Sequence, residues 1–181
     1  VMLDELRKAG KLEIHFIREN LVIHKDSNSS EIQRWDLAVF VAKSYVLQLS
    51  DNVKRSFEAK RRNGEITGNP PIGYENVYDN TGKRIDIIPD PEKAHFIQKM
   101  FELYASGNHS TLTLRLEMIK VGLRSKAGKK LSLSMIDKIL NDTFYYGLAY
   151  SRTKKISWNH KYKSLITKEL FNRCQDIRKG W

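Results

Sequence analysis

The chain has 181 residues, of which 40% are hydrophobic, which is enough to bury one domain core and part of a second. Its formal net charge of +11 at pH 7 predicts attraction to polyanions, with nucleic acid ahead of an anionic membrane surface. No apolar run approaches the roughly 18 residues that a membrane-spanning helix needs, and no signal peptide opens the sequence. These properties disfavour both global disorder and a membrane-embedded protein.

The cysteine and histidine content disfavours disulfide and zinc chemistry. Cys174 is the single cysteine, so no disulfide can form within the chain, and a reducing cytoplasm is favoured. The five histidines are scattered, without the spacing of a zinc site. We expect no cofactor and no metal. Because the first residue is Val1 rather than Met, we also expect the chain to be a piece of a longer protein.

The N-terminal part of the sequence predicts a short helix followed by strands. Residues 1–9 have a helical pattern that Gly10 ends. Residues 11–17 alternate apolar and polar side chains and predict a strand, which residues 21–23 extend or follow with a second one. Residues 25–30 predict a polar loop whose serines cap the next helix.

Residues 31–62 predict one long helix, because no glycine or proline interrupts them. A seam of the coiled-coil type runs along this helix, formed by Trp35, Val39, Ala42, Val46, Leu49 and Val53. The helix ends in the basic triplet Lys60, Arg61 and Arg62. We expect a dimer interface at Trp35, Val39, Ala42, Val46 and Leu49. The alternative is a core helix of a small bundle.

Residues 63–73, called the strap below, cannot continue this helix. Gly64 and Gly68 are followed by the pair Pro70-Pro71, and each of these residues disfavours helix. Glycine allows a close approach of the backbone to a ligand, and proline keeps a segment extended. The strap therefore suits a segment that follows a DNA backbone or enters a groove. An ordinary interdomain linker is the alternative.

Turn residues, capping residues and glycines mark the ends of the next predicted elements. Residues 74–88 predict a β-hairpin with its turn at residues 79–82. Asp90 is the predicted N-cap of a helix that buries Ala94, Ile97, Met100, Phe101 and Tyr104 and ends at Gly107. Ser110 is the predicted N-cap of a second helix, whose apolar residues are Leu112, Leu116 and Ile119.

The C-terminal elements complete a pattern typical of a winged helix-turn-helix. Ser132 is the predicted N-cap of a third helix with Leu133, Ile136, Ile139 and Leu140. Residues 145–150 and 161–166 then predict two strands, and residues 167–179 a closing helix. The predicted fold is mainly α (α+β), with a long dimerisation-type helix before a winged-helix-like domain of three or four helices and short β-hairpins.

Three clusters predict contacts to double-stranded DNA, in addition to Lys60, Arg61, Arg62, Gly64 and Gly68, and two of them, a loop and a connection, contain no acidic residue. A recognition helix meets the major groove with its N-terminal residues, which favours Ser132, Ser134, Met135 and Lys138. The preceding loop offers phosphate contacts from Arg124, Lys126, Lys129 and Lys130. The connection after residue 150 offers Arg152, Lys154 and Lys155. Solvated basic turns are the alternative for each cluster alone.

Catalysis has little support in the sequence. No glycine-rich phosphate loop, zinc spacing or nucleophile elbow is present. Ser27, Ser29 and Ser30 lie together without a plausible base nearby, and helix capping explains them. We therefore assign no catalytic residue.

An ordered series of motifs resembles the large serine recombinases of the phage integrase and transposon type. These motifs are KRRNGEITGNPPIGY (60–74), IIPDPEKA (87–94), MFELYASG (100–107), GKKLS (128–132), ILNDTFYYG (139–147) and LITKELF (165–171). The match spans roughly residues 54–181. Residues 1–53 are less distinctly similar to the last strand of the catalytic domain and the long helix on which these enzymes dimerise.

This resemblance implies a division into residues 1–62, the tail of a catalytic domain; residues 63–73, an extended linker; and residues 74–181, a recombinase DNA-binding domain. It also implies DNA integration or excision without a metal, in a tetramer assembled from two DNA-bound dimers, for a bacterial or phage-encoded mobile element. The family's nucleophilic serine region and zinc ribbon are not in this sequence. We therefore expect the chain alone neither to cleave nor to rejoin DNA.

Two other functions stay open on the sequence. A free-standing dimeric winged-helix transcription regulator would share the charge and the element order. A basic RNA-binding module is less favoured, because no aromatic-rich strand motif for base stacking is present. A serine-containing strand and loop upstream in the parent sequence would decide for the recombinase.

Overall fold

The structure, a computed structural model, describes residues 2–17 and 19–180. This part of the chain holds six α-helices, one short 3-10 helix and three antiparallel two-stranded sheets. It divides into two compact units, residues 1–56 and residues 57–181. Helices contain 49% of the described residues, and the predicted mainly α fold with short β-hairpins is confirmed. No helix among the described residues is both long and apolar enough to cross a membrane.

The first unit begins with helix α1 (Met2–Lys8) and the hairpin of β1 (Ile14–Phe16) and β2 (Leu21–Ile23). These elements confirm the predicted helix and strands, although Val1 lies outside the described residues. The buried Arg7 donates hydrogen bonds to Asp4 (2.8 Å) and to the carbonyl oxygen of His24 (3.0 Å). A buried guanidinium with these partners ties helix α1 to the end of β2.

Helix α2 (Ser29–Arg62) confirms the predicted long helix, but its cap differs from the prediction. The side chain of Asn28 accepts the N–H of Glu31 (2.9 Å), and the Glu31 carboxylate accepts the N–H of Asn28 (3.0 Å). This reciprocal pair is a capping box. The prediction that serines of residues 25–30 cap α2 is wrong, because Asn28 occupies that position.

The second unit carries the remaining elements. They are β3 (Tyr74–Tyr78), β4 (Arg84–Pro89), α3 (Ala94–Ala105), α4 (Thr111–Lys120), α5 (Leu133–Leu140), the 3-10 helix Thr143–Tyr146, β5 (Leu148–Ser151), β6 (Ile156–Asn159) and α6 (Lys168–Lys179). One core joins them, with Tyr74, Phe101 and Tyr145 among its largest buried side chains. Aromatic rings in T-shaped and stacked pairs contribute beyond their buried area.

Two predicted caps of this unit are confirmed, because Ser110 and Ser132 each accept a backbone N–H of the following first turn. Thr167, the first residue of the predicted closing helix, caps α6 in the same way. Asp90 behaves differently: its carboxylate accepts the N–H groups of Glu92 (2.9 Å) and Lys93 (3.1 Å), and α3 begins only at Ala94. Asp90 therefore caps the turn that leads into α3 rather than the helix itself.

The apolar residues that the sequence analysis named for α4 are not the ones that the helix buries most deeply. Leu112 and Leu116 are 51% and 47% exposed, whereas Leu114 and Met118 are completely buried. Leu114 and Met118 lie four positions apart and so share one helix face. The helix carries apolar side chains on more than one face, so the sequence pattern did not single out the buried face.

The second strand of the C-terminal hairpin was also predicted wrongly. Residues 161–166 are not a strand; β6 is Ile156–Asn159, and it pairs with β5 from Leu148↔Asn159 to Ser151↔Ile156. The N–H groups of Leu165 and Ile166 both donate to the carbonyl oxygen of Tyr145 (2.9 and 3.1 Å). Burial of Leu165 and Ile166 in the core, rather than sheet pairing, therefore explains their apolar pattern.

Candidate nucleic-acid interface

Hydrogen bonds from other parts of the second unit hold the strap in place. From Gly64 to Ile72, every second carbonyl oxygen accepts a hydrogen bond from a residue distant in sequence. The donors are the Lys161 N–H to Gly64 (3.0 Å), the Arg84 guanidinium to Ile66 and Gly68 (2.6 Å for Gly68), the Lys126 ammonium to Pro70 (2.7 Å) and the Tyr145 hydroxyl to Ile72 (2.8 Å). An alternation of two is the period of an extended backbone.

A groove of about 1030 Å³ lies between the strap, α5 and the β5–β6 hairpin. Six of the sequence-predicted residues line it: Arg61, Gly68, Lys126, Met135, Lys138 and Arg152. The four basic side chains among them outnumber the two carboxylates of the lining, Asp137 and Asp142. The groove therefore joins residues from four separate sequence regions into one surface with a positive surplus.

The other predicted residues lie outside the groove lining: Lys60, Arg62, Gly64, Arg124, Lys129, Lys130, Ser132, Ser134, Lys154 and Lys155. Arg124 donates to the carbonyl oxygens of Ile119 (3.1 Å) and Leu123 (2.9 Å), so it closes the C-terminal end of α4. Ser132 caps α5, and its hydroxyl lies 3.0 Å from that of Ser134. These contacts give Arg124 and Ser132 a structural role whether or not they also meet DNA.

Two of the predicted phosphate contacts face one carboxylate. Glu58 lies 3.3 Å from Lys154 and 3.7 Å from Arg61. A third pair, between Lys161 and Glu65 (3.0 Å), joins the strap to the segment after β6. The Lys154 and Lys161 side chains are 45% and 43% exposed, and exposed pairs are weak, so a phosphate group can replace the carboxylate at these two cations. The Arg61 side chain is only 15% exposed.

Two buried titratable groups lie under the hairpin. Burial raises the pKa of the Asp142 carboxyl and lowers that of the His160 imidazole. The Asp142 carboxylate accepts the N–H of Phe144 (3.0 Å) and caps the 3-10 helix. His160 Nε2 lies 2.7 Å from the carbonyl oxygen of Phe144, while Nδ1 accepts the N–H of Tyr162 (3.2 Å). This pattern fits a neutral His160 with its proton on Nε2.

The strap glycines differ in what their positions demand. At Gly64, with φ +70°, a Cβ would lie 2.9 Å from the backbone nitrogen of Lys161. At Gly68 a Cβ would meet none of the described atoms within 4 Å, and its φ is outside the left-handed region. Gly64 is therefore required by the fold, whereas no contact within the described chain requires a glycine at position 68.

Sequence reasoning missed several residues of this surface. Asn69, Asn141 and Tyr150 line the groove and have exposed side chains. Tyr150 lies in a strand, so strand alternation beside the basic connection would have indicated it. Arg84 had no sequence signal, because its acceptors are backbone carbonyl groups far along the chain.

The seam residues of α2 belong to the first unit. Trp35 and Val39 are half-buried, while Ala42, Val46 and Leu49 are exposed. None of the described residues of α2 is buried, and Val46 is 63% exposed. The described part of the chain therefore leaves the apolar face of α2 largely in contact with solvent.

Residues 91–180 match the sequence profile of the family described as Recombinase. This match covers 90 of the 181 residues. The matched region contains helices α3 to α6 and the β5–β6 hairpin, while α2 and the strap precede it. The resemblance inferred from the sequence motifs is confirmed. No curated protein matches the chain significantly.

Two solved structures share the fold of this chain. One is described as the crystal structure of an LSR–DNA complex, with a TM-score of 0.55 and 16% identity over 71% of this chain and 38% of that chain. The other concerns the sequence requirements of the Listeria innocua prophage attP site, with a TM-score of 0.51 and 18% identity over 70% of this chain and 52% of that chain. At these identities the likeness shows a common fold.

Proposed function

We propose that this chain binds double-stranded DNA at a specific site, as the recognition part of a serine recombinase that integrates or excises a phage or transposon. The observation that carries the proposal is the groove, where the strap, α5 and the β5–β6 hairpin bring four basic side chains together. The similar structure described as an LSR–DNA complex adds support from the fold.

The groove divides into two kinds of contact in this proposal. Arg61 and Arg152, at the ends of α2 and β5, bind phosphate groups and set the position on the duplex. Met135 and Lys138 of α5 face base edges. Exposed Lys60, Arg62, Lys129, Lys130 and Lys155 add phosphate contacts outside the groove. Electrostatic attraction supplies most of the affinity, and α5 supplies discrimination.

The proposed assembly is a homodimer through the α2 seam, with a tetramer of the parent protein during synapsis. An apolar helix face of this size in water indicates an interaction surface. The parent would act in the cytoplasm of a bacterium, on an attachment site of a mobile element.

The test is a titration of labelled DNA and RNA duplexes of the same sequence with the 181-residue chain. We expect DNA to bind more tightly, and log K to fall with log salt by about 0.9 for each phosphate contact. The triple variant Arg61→Met, Lys138→Met, Arg152→Met should lose most binding. Its matched control, Lys99→Met, Lys168→Met, Arg173→Met, removes the same charge from exposed positions on α3 and α6 and should retain binding. Equal loss in both variants, or tighter binding of RNA, would reject the groove as a DNA site.

A further inference from the structure

The guanidinium group of Arg84, in β4, binds the strap. Its guanidinium donates to the carbonyl oxygens of Gly68 (2.6 Å) and Ile66, and Nη1 lies 3.5 Å from the side-chain oxygen of Asn76. Arg84 is half-buried and is not part of the groove lining. A planar guanidinium that bridges two carbonyl groups fixes their separation and direction.

Asn69 lies between two strap carbonyl groups that are held in this way. Arg84 holds Gly68 on one side, and the Lys126 ammonium holds Pro70 on the other. The following proline restricts the backbone of Asn69 further. The Asn69 side chain itself is exposed and lines the groove. The polar side chain of Asn69 is therefore exposed, while the hydrogen bonds on either side fix the position of its backbone.

The chemistry of Asn69 suits base recognition. A carboxamide offers both donors and an acceptor, and it pairs in a bidentate manner with an adenine edge. Thr67, the other exposed polar strap residue that lines the groove, has a single hydroxyl that contacts any base and so carries less sequence information. Fixing the strap before binding also removes the cost of ordering it on DNA.

We propose that Asn69 reads an adenine edge in the DNA site and that Arg84 is the positioning residue that holds Asn69 for this contact. The inference rests on the proposed function. Arg84 thereby affects base preference without touching DNA.

The test first selects a preferred duplex from a random pool with the wild-type chain, and then measures binding to its single-base-pair variants at several salt concentrations. Asn69→Ala should lower discrimination at one or two A·T pairs by about 5- to 150-fold. Arg84→Met should lower discrimination at the same pairs, with the salt slope unchanged. The double variant should lose no more than Asn69→Ala alone at those pairs, because both act through one contact.

Controls separate this inference from charge loss and misfolding. Lys83→Met removes a neighbouring exposed charge, and Asn172→Ala removes an exposed carboxamide from α6; both should keep the wild-type preference. Arg84→Lys retains the charge and one donor group, so it should keep the salt slope and lose part of the discrimination even if Arg84→Met folds poorly. Circular dichroism monitors the fold of each variant.

Three results would overturn the inference. A salt slope reduced by about 0.9 in Arg84→Met would mean that Arg84 contacts a phosphate. Unchanged base preference in Asn69→Ala would exclude base reading by the strap. A uniform loss of affinity in Arg84→Met, with preference intact, would mean a general structural role. If the wild-type chain binds no DNA, the proposed function fails instead.

Discussion

The ammonium group of Lys126 donates a 2.7 Å hydrogen bond to the carbonyl oxygen of Pro70, 56 positions earlier in the chain. This contact joins the loop before α5 to the strap, two regions that the sequence places in separate basic clusters. Burial lowers the pKa of Lys126, with a smaller contribution from nearby Lys93, while Asp90 opposes the shift. Lys126 thus has a structural contact in addition to any contact with DNA.

We predict that Lys126→Met lowers the free energy of unfolding by about 0.5–1.5 kcal/mol, the usual contribution of one hydrogen bond. Urea denaturation followed by circular dichroism measures this change. Lys129→Met is the matched control, because Lys129 is an exposed lysine of the same loop. Equal stability of the two variants would show that the contact with Pro70 adds nothing measurable.

Substitution by valine should have different effects at two strap glycines, Gly64 and Gly68. Gly64→Val should lower the free energy of unfolding by about 1–3 kcal/mol, because valine is strained at positive φ and its Cβ would meet the Lys161 backbone. Gly68→Val should change stability by less than about 0.5 kcal/mol and still impair DNA binding, because a side chain would hold the strap away from DNA. Thermal melts and binding titrations of both variants provide the comparison. Normal DNA binding by a stable Gly68→Val protein would contradict the proposed close approach.

Arg61 and Lys138 should differ in how they contribute to DNA binding. Arg61→Ala should weaken binding to all sequences about equally and reduce the salt slope by roughly 0.9, as expected for one phosphate contact. Lys138→Ala should lower discrimination by about 1–3 kcal/mol at one or two base pairs. Titrations of specific and random duplexes at three salt concentrations measure both effects. If Arg61→Ala alters base preference and Lys138→Ala does not, the two roles are reversed.

The seam of α2 should hold an intermolecular contact. The double substitution Val39→Lys and Val46→Lys places two charges in the predicted interface and should shift sedimentation toward the monomer. Lys substitution of the polar residues Gln33 and Gln48 adds the same charge to the same helix and serves as the control. An unchanged sedimentation profile in the seam variant would exclude this face as the dimer contact.

His160 should make the protein less stable in mild acid. Its pKa in the folded chain is below the ordinary value of 6.5 because of burial, so the unfolded chain binds the proton first as pH falls. The associated stability is present above about pH 6.5 and is lost as pH falls through the folded pKa, at no more than about 1.4 kcal/mol per pH unit. Protonation would also place a hydrogen on Nδ1, opposite the N–H of Tyr162.

Urea denaturation between about pH 7.5 and pH 5 measures this dependence. His160→Gln should have a shallower pH dependence than the wild type. Asp142 has the opposite sign, because its raised pKa favours proton uptake by the folded chain, and it is present in both proteins. The difference between the two slopes therefore reports His160. Identical slopes would show that His160 does not titrate differently on folding.

Local signals predicted the helices of this protein well, and long-range contacts explain the errors. Ser110 and Ser132 cap helices as expected, because a hydroxyl before a helical pattern acts within one turn. Residues 161–166 were mistaken for a strand because burial against Tyr145 gives the same apolar pattern as sheet pairing. Burial alone does not distinguish the two.

The charged residues of the site could be predicted from the sequence. Hydrogen bonds that side chains donate to distant backbone carbonyl groups could not. Arg61 and Arg152 were predicted from basic clusters and Lys138 from the recognition helix, and the structure brings them to one groove. The role of Arg84 could not be predicted, because nothing in the sequence shows that the carbonyl groups of residues 66 and 68 lie beside it. Contacts of this kind require the fold.

The alternation of held carbonyl groups along the strap constrains how its length can change. Between Gly64 and Ile72 the donors that are distant in sequence meet even-numbered positions, whereas the Pro71 carbonyl oxygen accepts the N–H of nearby Tyr74 (3.3 Å). Inserting one residue after Gly64 would turn the following carbonyl groups to the opposite edge, so the donors of Arg84 and Lys126 would lose their acceptors together. Inserting two residues would restore the orientation of the carbonyl groups, and the strap would then only have to accommodate its extra length. Relatives that share this arrangement should therefore differ in strap length by even numbers of residues.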